Sequence, residues 1–262
     1  MLSHTYHCIS LVTSIDRREL MIDQFRKADI HVTFFDGVLV SGSNHDRIAA
    51  DEGVRLGKFA KRLTLGELGC YFSHRRLWQS LIDSDDEAYV IFEDDMILEP
   101  GFRETVEALM QSGRGFDVVR LAPLSPRMRR HEYVDLGNGY VVYWTKGTAL
   151  GTGCYTITKD AARALLKATK TFWGPIDFDI DRCWTHWKKV QMVYPEAARA
   201  MDLPSTIGYR VEDKDRHIGF HERWWRRGTR HLYRVVVLLQ RIKSGSWIAN
   251  KCKGSRRCAP DL

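Results

Sequence analysis

The chain has 262 residues, enough for one large α/β domain with a real core, and its 44% hydrophobic and 28% charged content is ordinary for a soluble globular protein. It contains no run of eighteen apolar residues, which excludes a membrane-spanning helix. Its six cysteines include no C-x-x-C pair, which argues against a zinc module or a disulfide framework and for reduced thiols. The formal charge of +7 is uneven: Glu222 to Leu262 holds 11 Lys/Arg against 2 Asp/Glu, and the rest of the chain nets −2.

The N-terminus reaches a core strand almost at once and reads as lacking a signal peptide. His7 to Thr13 alternates as a first strand. Asp16-Arg17-Arg18-Glu19 has capping-box spacing and opens a helix through Met21, Ile22 and Phe25. Val32 to Phe35 returns as a second strand, and this strand-helix-strand opening suits a parallel sheet. Asp36-Gly37 ends it, followed by a polar, flexible connection over Ser41 to His45. Thr64-Leu65-Gly66-Glu67 is a second capping box, leading into an amphipathic helix through Leu68, Tyr71, Phe72, Leu77, Trp78 and Leu81. Gly66 and Gly69 each lower helix stability by roughly 1 kcal/mol relative to Ala, which suggests close backbone approach to a ligand or to the sheet.

Ala88 to Phe92 reads as a strand buried on both faces, ending in Glu93-Asp94-Asp95. Side chains at i and i+2 of an extended chain share a face, so Glu93 and Asp95 point one way and Asp94 the other. Such acids at a sheet edge suit a divalent cation, or are an ordinary solvated turn; the residues alone leave both open.

Pro100-Gly101 opens another helix, Phe116 to Ala122 a strand, and Ser125 to His131 a cationic loop suited to a phosphorylated acceptor or simply to water. Tyr140 to Trp144 and Gly151 to Thr158 are strand-like, and Thr158 caps a helix through Ala161 and Leu165. Gly151-Thr152-Gly153 is too short for a dinucleotide fingerprint and points to close packing of the strand. A second acidic cluster, Asp177, Asp179 and Asp181, follows Pro175. Acids in a helix's first turn meet its dipole favourably, and one beside Trp173 also suits a general base acting on a sugar hydroxyl. Val190 to Tyr194 is the last core strand.

Gly66-Glu67-Leu68-Gly69-Cys70 together with Phe92-Glu93-Asp94-Asp95 resembles glycosyltransferase family 25, the sugar transferases of bacterial lipooligosaccharide synthesis, with distant relatives that glycosylate collagen. The resemblance runs from about Ile9 to Ile207. It implies a GT-A-like (Rossmann-like) α/β fold over residues 1–221, an open mixed sheet flanked by helices, before a basic helical tail at 222–262. It further implies transfer of galactose or glucose from a UDP-sugar to a lipid-linked lipooligosaccharide or lipopolysaccharide core acceptor, with inversion. On this resemblance Glu93 and Asp95 hold Mn²⁺ or Mg²⁺, and His217 or His221 could complete the site. Arg17, Asp36, Gly66, Glu67, His74 and Asp94 bind the donor. Asp177 is the base, with Asp179 and Asp181 behind it.

The tail mixes Trp224, Trp225, arginines and the run Val235 to Leu239, a composition suited to an anionic membrane surface or to packing on the body. No nucleic-acid module is present. The expected setting is cytoplasmic, peripheral on the inner face of a bacterial inner membrane. Two rivals remain: a two-carboxylate glycoside hydrolase, and a non-catalytic basic membrane- or nucleic-acid-binding protein.

Overall fold

The computed structural model describes residues 2–56, 63–112, 115–124, 133–143, 150–203, 235–236 and 238–239. The chain runs β1 (His4–Ser10), α1 (Ile15–Lys27), β2 (Val32–Asp36), α2 (His45–Asp51), α3 (Leu65–Asp83), β3 (Ala88–Glu93), β4 (Met96–Leu98), α4 (Phe102–Gln111) and β5 (Val118–Arg120). It continues through β6 (Tyr133–Asp135), β7 (Val141–Tyr143), β8 (Cys154–Thr158), α5 (Lys159–Ala168), α6 (Ile176–Asp181), α7 (Cys183–His186), β9 (Val190–Tyr194) and β10 (Ala198–Ala200).

Eight of these strands form one sheet in the order β2-β1-β3-β8-β5-β9-β7-β6, while β10 and β4 pair separately. The first three strands are parallel, β8 runs against both β3 and β5, and β9 is parallel to β5. This is the open mixed sheet flanked by helices that the sequence suggested. The directions decide where a site can form. The C-terminal ends of β1, β2 and β3 lie on one edge, with Ser10 beside Asp36 and Ile9 beside Glu93. The start of the antiparallel β8 arrives at that same edge, where Glu93 N donates to Gly153 O at 2.8 Å.

β3 is buried on both faces, as its apolar run requires. Tyr89 and Ile91 enter a core shared with Tyr71, Phe72 and Trp78 of α3 and Leu165 of α5. Val90 and Phe92 enter the opposite core with Met21 and Phe25 of α1 and Val106 of α4. Full burial of each such side chain contributes roughly 1.5–3 kcal/mol, so the strand is anchored from both sides while its acidic end stays free to face outward.

Several local expectations change. β1 starts at His4 and stops at Ser10. The Asp16–Glu19 capping box does not form: Ser14 is the N-cap of α1 and makes no side-chain cap bond. The chain after Gly42 is not all loop, since α2 starts at His45. Gly101 caps α4 with φ of 81°, a conformation open to glycine, and Pro100 lies outside the helix. By contrast, the Thr64–Glu67 box is complete, and Thr158 caps α5 through Ala161 N. Gly153 packs its Cα where an added Cβ would lie 2.6 Å from Met96 Sδ, the close packing expected of that strand. Gly69 approaches the backbone of Val38 rather than the sheet or the cleft.

The Ser125–His131 loop, His217, His221 and most of the tail lie outside the described residues. Within the tail, Val236 is buried against Cys183 and Trp184, whereas Val235, Leu238 and Leu239 are exposed. Among the described residues no helix is long and apolar enough to cross a membrane, and Cys8, Cys70, Cys154 and Cys183 are free.

Candidate active site

At the sheet edge where β3 ends and β8 begins lies a cleft of about 450 Å³. Glu67, Glu93, Asp95 and Asp177 all line it, beside Gly151, Thr152 and Gly153. The two acidic clusters, about eighty residues apart in sequence, therefore meet across one cavity.

Glu93 is held from behind. Its Oε1 accepts from Thr152 Oγ1 at 2.6 Å and Cys70 Sγ at 3.8 Å, and lies 3.3 Å from His74 Nε2. His74 Nδ1 is 2.9 Å from the Tyr155 hydroxyl, which also accepts from Trp78 Nε1 at 2.9 Å. Indole only donates, so the Tyr155 hydroxyl proton is available for His74 Nδ1, leaving Nε2–H to donate to Glu93. Burial alone would raise the Glu93 carboxyl, but the hydrogen bonds from His74, Thr152 and Cys70 outweigh it and hold the group below its ordinary value. Three donors converge on Oε1; among the described residues no hydrogen bond is made by Oε2. His74, expected as a donor contact, is fully buried, does not line the cleft and meets Glu93 from behind.

Asp94 faces the other way, as strand alternation required. It accepts from Ser10 Oγ and from Arg17 Nη1, both at 2.7 Å. Arg17 Nη1 also lies 3.6 Å from Asp95 Oδ2, and Arg18 Nη2 binds Asp36 Oδ1 at 2.6 Å and Ser10 O at 2.9 Å. Neither arginine is merely solvated. Both are tied to acids at the ends of β2 and β3, outside the cleft's lining. Burial and the neighbouring Glu93 charge push the Asp95 carboxyl up to about 6, with Arg17 opposing. The acid pair is thus only partly compensated by protein cations. Two carboxylates with one oxygen of Glu93 left open fit a hard divalent cation such as Mn²⁺ or Mg²⁺.

The second cluster divides differently. Asp177, in the first turn of α6, is oriented by Gly151 N on Oδ2 at 3.1 Å and by Phe178 N on Oδ1 at 2.7 Å. Asp179 is buried against Arg182 Nη1 at 2.9 Å and the Tyr71 hydroxyl at 3.1 Å. Asp181 is buried against Arg120 Nη2 at 2.8 Å and Leu150 N at 2.9 Å. Asp179 and Asp181 are therefore structural, and only Asp177 reaches the cleft.

Glu67 lines the cleft while closing the capping box through Thr64 N at 2.8 Å. Gly66, beside it in the first turn of α3, does not line the cleft. Sequence reasoning missed Thr152 and Cys70 as partners of Glu93, and Glu196 and Arg199 as part of the lining. Cys70 and Thr152 sat inside segments singled out for their glycines; nothing in the local sequence marks Glu196 or Arg199.

The chain is similar to several known proteins. It is 30% identical over 183 residues to a glycosyltransferase 25 family member of Anopheles gambiae, covering 63% of this chain and 29% of that one. It is 26% identical over 174 residues to procollagen galactosyltransferase 1 of Danio rerio, covering 61% and 28%. A human relative named inactive glycosyltransferase 25 family member 3 is 29% identical over 155 residues, covering 54% and 26%. The chain thus spans under a third of the length of these relatives. A glycosyltransferase involved in glycosylation of the major capsid of PBCV-1 superposes with a TM-score of 0.40 at 10% identity, covering 78% of this chain and 94% of that one. The family described as glycosyltransferase family 25 (LPS biosynthesis protein) matches residues 3–183, which include both Glu93 and Asp177. With that match over most of its length, the chain belongs to glycosyltransferase family 25.

Proposed function

We propose that this chain transfers a hexose from a UDP-sugar to a saccharide acceptor, in a single displacement that inverts the sugar's anomeric centre. The observation that carries this reading is the meeting of Glu93, Asp95 and Asp177 in one cleft at the sheet edge. Glu93 and Asp95 are the residues to hold Mn²⁺ or Mg²⁺, whose chemistry there is to neutralise charge on the departing diphosphate. Arg17, paired with Asp94 and near Asp95, sits to steer the donor's phosphates toward this edge. Asp177 is fixed by two backbone N–H groups yet keeps a lone pair on each oxygen, so it can take the proton of the acceptor hydroxyl. No covalent enzyme intermediate is needed, since base and metal acids can act on opposite sides of the transferred sugar.

The donor is drawn from galactose and glucose, and the name of the Danio rerio relative favours galactose. The family's description supports a lipopolysaccharide core acceptor. A basic tail with paired tryptophans suits the anionic inner face of a bacterial membrane, where a lipid-linked acceptor resides.

Family membership alone does not decide catalysis, because two of the similar proteins are named inactive or probable inactive. The test is turnover of a panel of nucleotide sugars with Mn²⁺ and with chelator. The expected result is metal-dependent release of UDP from one donor, reduced on the order of 10²–10⁴-fold by Asp177→Asn and lost with Asp95→Asn. Turnover that survives both substitutions would remove these acids from the mechanism, and no turnover of any donor would end the transferase reading.

A further inference from the structure

Cys70 and His74 stand one turn apart on α3, so their side chains lie on the same helix face, and that face meets Glu93 at the end of β3. The Cys70 Sγ, a His74 ring nitrogen and a Glu93 oxygen all lie within 4.8 Å of one another. From this geometry we infer that Cys70, His74 and Glu93 form a binding site for a soft divalent cation of the zinc class, separate in character from a hard-cation site at Glu93 and Asp95.

The spacing of the three groups accommodates an ion. A tetrahedral zinc with bonds of about 2.3 Å to sulfur and about 2.0 Å to nitrogen and oxygen separates its N and O ligands by about 3.3 Å and its S and O ligands by about 3.5 Å. Here His74 Nε2 and Glu93 Oε1 are 3.3 Å apart, and Cys70 Sγ and Glu93 Oε1 are 3.8 Å apart. Across these two pairs the ligands need to move by only a few tenths of an ångström, and Cys70 Sγ and the His74 nitrogen lie within 4.8 Å of each other. The mixed S, N and O donor set suits zinc, cobalt and cadmium better than magnesium or manganese, whose preference is for oxygen alone. Cys70 and Glu93 line the cleft, which gives the ion a way in. Behind the ring, Tyr155 at His74 Nδ1 is the outer partner that orients a metal-binding histidine.

The proton balance is simple. On binding, the Cys70 thiol proton leaves to water. The His74 ring proton moves from Nε2 to Nδ1 and donates to the Tyr155 oxygen; Tyr155 keeps its own proton, turns it off the ring and accepts from both Trp78 and His74. The site draws on Glu93 Oε1 and does not depend on whether the cleft transfers sugar.

The experiment is a Co²⁺ titration of the full chain followed by absorption, then displacement by Zn²⁺. The expected spectrum has strong visible bands of tetrahedral cobalt and a near-ultraviolet thiolate band, both abolished by excess Zn²⁺. Cys70→Ser should remove the thiolate band and weaken binding by more than the roughly 10–100-fold that loss of an outer partner causes. A Cys252→Ser/Cys258→Ser variant should bind as the parent does. A weak octahedral spectrum, or a thiolate band that persists in Cys70→Ser, overturns the assignment. Should Cys70→Ser fail to fold, alkylation of Cys70 in the parent protein, mapped by mass spectrometry, gives the answer. Slowing by Zn²⁺ and recovery with chelator support the site, and an unchanged rate refutes it.

Discussion

The two acidic clusters look alike in sequence, three carboxylates each within a few residues, yet the fold treats them differently. After β3, Glu93 and Asp95 face the cleft and Asp94 turns to Arg17 and Ser10. On α6 the proportion is reversed: Asp177 alone faces the cleft, while Asp179 and Asp181 bury themselves against Arg182 and Arg120. The difference comes from the backbone each cluster sits on. At a strand end, alternate side chains separate cleanly to two faces. A short helix sweeps its side chains around an axis, and here it turns two of three into the interior. Whether a carboxylate is buried against a guanidinium or left facing the cleft is supplied only by the fold.

Substitution within the second cluster would break this comparison most sharply. Arg120 is fully buried, its Nε and Nη1 have no partner, and Asp181 is its only carboxylate among the described residues. Asp181→Ala leaves that guanidinium uncompensated and should destabilise the fold by about 3–5 kcal/mol. Asp177→Ala removes only an acceptor for two backbone N–H groups at the cleft and should cost about 0.5–1.5 kcal/mol. Urea unfolding of both variants checks this, and equal losses would erase the distinction drawn between the two acids.

The next largest effect is a pH dependence in the neighbouring helix α7. His186 is buried, its Nε2 donates to Ile180 O at 2.9 Å, and its Nδ1 accepts from Lys188 N at 3.1 Å. Both nitrogens are satisfied only in the neutral ring, and protonation would set one N–H against another. Burial, helped by the Lys188 and Arg182 charges, pushes its pKa down from 6.5 to about 4. Between those values the folded state binds fewer protons than the unfolded chain. The contribution is present above pH 6.5 and is lost as pH falls through about 4, up to about 3 kcal/mol in all. Asp179 acts oppositely: burial raises it to about 6, so acidification over part of the same range favours the folded state. Comparison with His186→Asn separates the two. The stability gap between parent and variant should narrow by about 3 kcal/mol from pH 7.5 to pH 4, and a constant gap would mean His186 does not titrate in the fold.

Much of this was legible in the sequence wherever a short pattern fixes its own geometry. The Thr64–Glu67 box, the two-faced burial of β3 and the opposite facing of Asp94 all follow from local periodicity. The Asp16–Glu19 box had the same spacing and failed, because the helix starts at Ile15 and leaves Asp16 inside its first turn. The motif around His74 implies a donor contact. The burial of His74 behind Glu93 depends on Tyr155 of β8 and Thr152 just before that strand, which only the antiparallel pairing of β8 with β3 brings near. Long-range pairing of that kind has no local signature.

The smallest effect concerns the helix that supports the first cluster. Gly69 lies one residue before Cys70 on α3, and a Cβ added there would stand 2.6 Å from Val38 O. Ser73 closes the same contact, accepting from Val38 N at 2.8 Å and donating to Gly69 O at 2.6 Å. Two opposing terms meet in Gly69→Ala. Helix propensity favours alanine by about 1 kcal/mol, while overpacking in a filled interior costs about 1–3 kcal/mol. The atom in the way is a backbone carbonyl of a residue whose N–H is tied to Ser73, not the end of a flexible side chain, so overpacking should win. The expected net loss is about 1 kcal/mol in urea unfolding. Because α3 also carries His74 and Cys70 to Glu93, the same shift should disturb metal affinity at the cleft. A stabilised variant with unchanged affinity would show that the Val38 segment yields freely and that α3 is not set by this contact.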